Sequence, residues 1–372
     1  MTKPELDYIT IKGFKSINSL EKIVLRPINV IIGPNGSGKS NFIGVFSFLH
    51  AIREGHLNDY VRRAGGAEQL LYFGSKVTEE IKIMISFSEE VNQYELILKP
   101  TSDDSLYPAN EWVSFWDKQN YDHPYNKSLT ALDNGREAGI SDPDSTRTAS
   151  WVRLRLGKWR LYHVHDTSSS SPLRKTAKLN DNAYLRPDGS NLPAFLYRLQ
   201  EKHPNEYSLI RRTTQRVAPF FDDFLLNPDP LNEDSIRLAW KHKNSDQYFG
   251  ASSLSDGTLR FIALATLFLQ PEEFRPSVIL VDEPELGLHP SAITILASLV
   301  KQVSQKTQVI LSTQSPLLLD HFQPEDVLVA DRVDGGTQFS RLDSAKLAEW
   351  LEEYSLGQLW EKNELGGRPG KE

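Results

Sequence analysis

From Asp7 to Ser16 (DYITIKGFKS) apolar and polar residues alternate, the period of a half-buried strand, and a second strand pattern runs from Lys22 to Leu25. Pro27 stops that ladder, and Ile28 to Ile32 reads as a short buried strand. The period then changes: Phe42, Val45, Phe46, Leu49 and Ile52 recur at helical spacing, which predicts a helix from Asn41 to Arg53 with one apolar stripe facing a sheet. Beyond Gly65-Gly66 and the stretch AEQLLYFGS, paired strand patterns at Glu80 to Phe87 and Gln93 to Lys99 predict an antiparallel layer. Between Thr101 and Ser150 the pattern dissolves into SDDSLYPANE, YDHPYNK and SDPDSTRT, with only Glu111 to Trp116 strand-like.

Alternation returns from Trp151 to Val164 and predicts a strand, followed by a flexible serine crossing at Ser168 to Ser171. Leu192 to His203 and Tyr207 to Leu226 predict helices of a small inserted lobe that Pro228-Asp229-Pro230 ends, and Ser235 to His242 predicts a returning strand. An apolar helix from Leu259 to Leu269, a fully apolar strand from Val278, a strand from Val309 to Ser312, last strands at Asp326 to Ala330 and Thr337 to Leu342, and a helix from Ser344 to Leu351 complete the pattern. The polar tail from Gly366 to Glu372 is expected to fray. The pattern divides the chain into residues 1–100, half of a core with a β-layer; 101–245, an insertion; 246–345, the other half of the core; and 346–372, a terminal helix and tail. No fixed-period repeat and no sustained heptads are present, which excludes a long coiled-coil arm.

Composition narrows the classes. The 372 residues are 39% hydrophobic and 24% charged, enough for two or three ordinary globular domains. No run of about 18 apolar residues appears, and Met1 to Tyr8 lacks the layout of a secretory signal, so the cytoplasm is the expected address and no membrane partner is expected. Zero cysteines exclude disulfides, thiolate metal sites and cysteine nucleophiles. A net charge of −7 argues against a surface coated in basic residues. The local basic groups are Arg62-Arg63, the cluster Arg174, Lys175 and Lys178, and Arg211-Arg212 with Arg216; solvated helix faces are their plainer account unless they converge in space.

Gly33-Pro34-Asn35-Gly36-Ser37-Gly38-Lys39-Ser40, set between a buried strand and a helix beginning at Asn41, reads as a P-loop. Its glycines let backbone N–H groups turn around phosphates, Lys39 supplies a cation for the β and γ groups of ATP, and the Ser40 hydroxyl suits Mg2+. Val278-Ile279-Leu280-Val281-Asp282-Glu283 is an apolar strand ending in two acids. Asp282 is placed to hold Mg2+ through water, and Glu283 to orient and deprotonate an attacking water. Gln69, between the two nucleotide motifs, has two readings, a polar ligand for Mg2+ or the attacking water and, more simply, a surface helix glutamine; His163-Val164-His165-Asp166 puts both histidines on one strand face, a metal site only with further ligands the sequence does not identify and otherwise ordinary strand polarity.

Ser253-Leu254-Ser255-Asp256-Gly257-Thr258 precedes the apolar helix, and its LSDGT resembles the LSGGQ signature of ABC-type ATPases. The order P-loop, signature, acidic strand and Ser312 to Pro316 (STQSP) is also theirs. GFKSI at Gly13 to Ile17, DEPELGLHP from Asp282 to Pro290, and the C-terminal EWLEEYSLGQLW resemble the SMC/RecF-like branch, which includes the ATPase part of OLD-family nucleases and bacterial AAA-type ATPases. The likeness covers nearly the whole chain. It implies an α/β P-loop NTPase of ABC/SMC-RecF type, with a mixed sheet core, an antiparallel β-layer and an inserted helical lobe. It also implies an ATP hydrolase that closes as a head-to-tail homodimer, with Ser255 and the Gly257 amide touching the γ-phosphate on the other copy's P-loop. Gln314 stands where many relatives carry a switch histidine, and the resemblance implies a hydrogen bond from it to the γ-phosphate, which glutamine can make without a proton-linked charge. His289 is expected to shape the turn before Pro290 or to cap the helix that follows.

The family's implied work is in DNA repair, recombination or defence against phage, with DNA or a neighbouring effector as partner. No separate nuclease domain is expected beyond the terminal helix. The competing readings are an ATP-gated regulatory subunit for a separate effector or toxin, a transporter's nucleotide-binding subunit, a small-molecule kinase, and an ATP clamp with little turnover. DEPELGLHP and the β-rich insertion are unlike transporter subunits, and a kinase has no need of LSDGT.

Overall fold

Asn29 is the single polar residue of the strand Ile28–Ile32, whose five positions are all buried. Its amide closes on its own turn, accepting from the Arg26 N–H (3.0 Å) and donating to the Arg26 carbonyl (2.6 Å), so the strand is buried without an orphaned polar group. The computed structural model describes residues 5–164, 166, 168 and 170–366. Within it Ile28–Ile32 lies near the middle of a six-stranded sheet in the order Gly336–Arg341, Val327–Val333, Ile28–Ile32, Gln308–Ser312, Val278–Asp282, Trp159–Tyr162. Every neighbouring pair is parallel except the first, which is a hairpin. The register pairs Asp282 with Ser312 and Ser312 with Ile31, so the carboxyl ends of three central strands finish level at one edge. In an open parallel sheet that edge is where ligands bind.

A second sheet is wholly antiparallel, in the order Ile17–Val24, Leu6–Phe14, Ile81–Phe87, Asn92–Pro100, Leu106–Phe115, Tyr125–Ser128. It runs on past residue 100 without a break in pairing. The helix Lys39–Arg53 is packed between the two sheets: Phe48 stacks on Phe14 of the antiparallel layer (5.4 Å between ring centres) and Phe46 meets Trp159 of the central sheet (5.3 Å). Each large apolar side chain buried this way contributes about 1.5–3 kcal/mol. The central sheet's other face carries the helices Leu192–Lys202, Pro204–Val217, Asp256–Leu269 and Pro290–Val303. Every residue from Leu259 to Leu269 is buried, which is why the stretch is apolar apart from Arg260, whose Nε donates to the Val164 carbonyl (2.9 Å), and Thr266, whose hydroxyl donates to the Ile262 carbonyl (2.8 Å).

Three predicted elements differ. The alternation from Trp151 to Val164 is a helix, Arg147–Leu156, followed by the strand Trp159–Tyr162. Thr146 caps the helix by accepting from the Ala149 N–H, and Ala149, Val152 and Leu156 are buried at helical spacing; the half-buried Arg153 and Arg155 between them mimic a strand period. The predicted helix Tyr207 to Leu226 stops at Val217 before Pro219, and Phe221–Leu225 is a strand. Ser235 to His242 is two strands, Asn232–Ile236 and Ala239–His242, in separate three-stranded sheets. The lobe thus carries small sheets as well as helices. His165 and residues 367–372, the end of the predicted tail, lie outside the described residues.

The polar stretch after Thr101 has one buried organiser. Glu111, 3% exposed, accepts hydrogen bonds from the Tyr94 hydroxyl (2.8 Å) and the N–H groups of Gly139 (2.6 Å) and Ile140 (2.9 Å), fastening the loop segment to the sheet. Glu111→Ala orphans three donors and is expected to cost roughly 2–4 kcal/mol in urea unfolding at neutral pH. Burial pushes this carboxyl above its ordinary range, against the three donors. The folded chain therefore holds the proton to higher pH than the unfolded chain. The group's contribution is complete below the ordinary carboxylate value and declines as pH rises through the raised one, a slope the alanine variant loses.

Candidate active site

Residues 33–40 leave the strand Ile28–Ile32 and wrap the start of the helix Lys39–Arg53. Two glycines are sterically required. A Cβ on Gly38, whose φ is +101°, would fall 2.0 Å from Thr337 Oγ1 and 2.8 Å from Ser16 Oγ; one on Gly33 would fall 2.3 Å from the Ala330 carbonyl oxygen. Behind the loop, Asn41 Nδ2 donates to Ser16 Oγ (2.7 Å), Ser16 Oγ bonds Thr337 Oγ1 (2.7 Å), and the Thr337 N–H donates to the Ser16 carbonyl (2.7 Å). The GFKSI segment and the last hairpin therefore brace the loop from two sides.

Lys39 is buried and folded back: its ammonium donates to the carbonyls of Gly33 (2.7 Å) and Pro34 (2.9 Å). Burial pushes this ammonium down from its ordinary value, and the carboxylates of Glu283, Asp282 and Glu285 oppose that shift. Ser37 Oγ is buried with no hydrogen-bond partner, Pro34 is half-buried, and Asn35, Gly36 and Ser40 are exposed at the rim. An orphaned hydroxyl inside a loop of glycines, beside an ammonium satisfied only by carbonyls, fits a ligand rich in anionic oxygen.

Level with the loop, Ser312 Oγ donates to Asp282 Oδ1. Glu283 has a left-handed backbone, φ +39°, strained for a residue with a Cβ; its N–H donates to the Ser312 carbonyl (3.0 Å), and Gln314 Nε2 donates to its carboxylate. Lys39, Asp282, Glu283 and Gln314 are thus brought to one edge from three strands. Glu285 joins them and was missed as a separate participant in the sequence. One of its oxygens accepts from Thr313 Oγ1 (2.6 Å) and the Gln314 N–H (3.1 Å), while the other is buried without a partner, and burial pushes the carboxyl above its ordinary range. Its signal in the sequence is an acid directly after Pro284.

Ser255 and Gly257 are not joined to that cluster: among the described residues no hydrogen bond links either of them to the P-loop. Ser255 caps the helix Asp256–Leu269, accepting from the Thr258 N–H (3.2 Å). A Cβ on Gly257 would lie 2.3 Å from the Gly287 carbonyl oxygen, so the helix start presses on the turn that follows the acids. Arg174 clamps the same loop, donating to the carbonyls of Ala251 and Leu254 (3.3 Å) and pairing with Asp256 (2.7 Å). This residue of the basic cluster is therefore a brace for LSDGT. Arg62 pairs with Asp59, and Arg211 with Asp222 (3.3 Å) and Asp223 (3.4 Å). His289 caps the helix Pro290–Val303, its Nδ1 accepting from the Ser291 N–H (3.3 Å). Gln69 is exposed on a short helix, Ala67–Leu70. No helix of the described residues is long and apolar enough to cross a membrane.

Residues 28–320 match the family model described as AAA domain, putative AbiEii toxin, Type IV TA system. The chain is 21% identical to the Old nuclease of Escherichia phage P2 over 92% of its length and 61% of the relative's. It is 25% identical to the chromosome segregation protein sudA of Emericella nidulans over 58% of its length and 19% of the relative's. It therefore spans less than two thirds of either protein. Among solved structures, an SMC head bound to the C-terminal winged-helix domain of ScpA superposes with a TM-score of 0.61 at 17% identity, covering 93% of this chain and 100% of that one. A Pyrococcus furiosus SMC head with an extended coiled coil, bound to the C-terminal domain of ScpA, gives 0.57 at 16% identity, covering 94% and 99%. With residues 28–320 inside one family model, the chain belongs to the family described as AAA domain, putative AbiEii toxin, Type IV TA system, an SMC/RecF-like, OLD-related group with a P-loop NTPase fold.

Proposed function

We propose that this chain is a Mg2+-dependent ATPase whose two copies close head to tail on two ATP molecules, working in the cytoplasm in DNA repair, recombination or defence against phage. The observation that carries the reading is the convergence of Lys39, Asp282, Glu283 and Gln314 at one sheet edge beside a loop with an orphaned hydroxyl. The residues at the rim fit a magnesium ion: the exposed Ser40 hydroxyl and the Asp282 carboxylate are hard oxygen donors, and the ion would neutralise charge on the β- and γ-phosphates.

In this mechanism the backbone N–H groups of Gly33 and of residues 35–41 cradle the phosphates, and Lys39 exchanges its two carbonyl partners for phosphate oxygens. Glu283 takes a proton from the attacking water. Gln314 holds the Glu283 carboxylate in place, and Glu285 positions Gln314 through its backbone N–H. Ser255 and the Gly257 amide complete the second copy's site at the γ-phosphate, which accounts for their making no hydrogen bond to their own P-loop.

A DNA role draws on the chromosome segregation relative and on the Old nuclease, whose names belong to those proteins. A second reading, in which ATP gates a separate effector or toxin without DNA contact, draws on the toxin named in the family description. The test of the dimer is hydrodynamic. Glu283→Gln, which stalls hydrolysis in the proposed mechanism, should double in mass on addition of Mg-ATP and stay monomeric without it. A constant mass at saturating ATP removes the sandwich.

A further inference from the structure

The site described so far accounts for the phosphates and leaves the nucleoside without a partner. One exposed aromatic lies next to the P-loop brace. Phe73 is 60% exposed, yet its backbone is left-handed, with φ at +52°, a conformation that costs a non-glycine residue free energy and is held only where the surroundings enforce it. They do so here. The Leu70 carbonyl accepts from the Lys15 N–H (2.7 Å), the Tyr72 N–H donates to the Gly13 carbonyl (3.1 Å), and Thr78 Oγ1 donates to the Tyr72 carbonyl (2.5 Å), so the bend is fastened to the Gly13–Ser16 turn on one side and to its own continuation on the other.

The buried ring of Tyr72 meets Phe73 edge to face with centres 4.5 Å apart, and a Cβ on Gly335 would lie 3.1 Å from Phe73 Cζ, so the ring leans on the tip of the last hairpin. Two residues along that hairpin, about 7 Å of extended chain, Thr337 touches the space beside Gly38. The ring is therefore linked to the P-loop through one short hairpin, packed at the hairpin's tip while Thr337 of the same hairpin packs on Gly38, and it keeps an exposed side. Lys15, on the same turn, is half-buried; among the described residues its ammonium makes no ion pair and lies over the Phe14 ring at 5.6 Å.

We propose that Phe73 is the platform on which the nucleobase of a bound nucleoside triphosphate stacks, with Lys15 as the cation at the nucleoside end of the site. This rests on the nucleotide reading above and names the residue that holds the base. Stacking on a ring face discriminates little among bases, so the contact adds affinity rather than strict adenine selectivity.

The test is calorimetric titration of the full chain with a non-hydrolysable imido analogue of ATP and with inorganic tripolyphosphate. Wild type should bind the analogue more tightly than tripolyphosphate. Phe73→Ala, at an exposed position, should lose about tenfold in affinity for the analogue and nothing for tripolyphosphate, and Phe73→Trp should restore the difference. Unchanged affinity of Phe73→Ala for the analogue, or an equal loss for both ligands, overturns the assignment while leaving the nucleotide site standing. Wild type that binds neither ligand overturns both.

Discussion

Glu283→Gln is expected to lower steady-state phosphate release by roughly a hundredfold to ten-thousandfold, the range over which a positioned general base contributes, while ATP still binds. The substitution is nearly isosteric, and the amide oxygen can still accept from Gln314 Nε2 as the carboxylate does. What is lost is the capacity to receive a proton. The backbone supports this placement: at Glu283 the chain leaves the strand Val278–Asp282 with φ at +39°, a conformation a strand end would shed if the side chain's direction were of no consequence. Glu285 is the rival base. Its partnered oxygen already accepts from Thr313 and Gln314 and its other oxygen is buried, so it is poorly placed to reach a water at the edge. A Glu283→Gln rate within threefold of wild type in a phosphate-release assay would transfer the role elsewhere or remove hydrolysis from the reading.

The parts of this site legible in the sequence are those whose chemistry is local. Gly33 to Ser40 shows a backbone that must bend and a charge that must follow, and Val278 to Glu283 shows a buried strand with acids at its end, because burial and turn geometry act on adjacent residues. The brace was not legible. Ser16, Asn41 and Thr337 meet across more than three hundred positions, and each alone is an ordinary polar residue. Arg174 reads as charge and acts as a clamp, since its partners are the carbonyls of Ala251 and Leu254 and the carboxylate of Asp256, far along the chain. Helix Arg147–Leu156 was misread for a related reason: two arginines at alternate positions imitate a strand, and only the buried faces of Ala149, Val152 and Leu156 reveal the true period.

Ser255→Arg should abolish ATP-driven dimerisation and phosphate release while leaving the monomer folded and able to bind ATP, because the side chain is an exposed cap at the helix start and the P-loop is untouched. Loss of activity alone would not distinguish a role within one copy from a role across two. Mixing does. Lys39→Ala has a damaged P-loop and an intact LSDGT; Ser255→Arg has the reverse. If the sites are composite, a mixed dimer contains one complete site, formed by the P-loop of the Ser255→Arg copy and the signature of the Lys39→Ala copy, and one site damaged twice. With random pairing, half of the dimers are mixed and each carries one of two sites, so the mixture should recover roughly a quarter of wild-type phosphate release. If Ser255 acted only on its own P-loop, neither copy would hold a complete site and the mixture would be as inactive as its components. Ser255 is an exposed helix cap whose hydrogen bonds stay within its own turn, while Lys39 is held by the carbonyls of its own loop, and this is the structural reason to expect recovery.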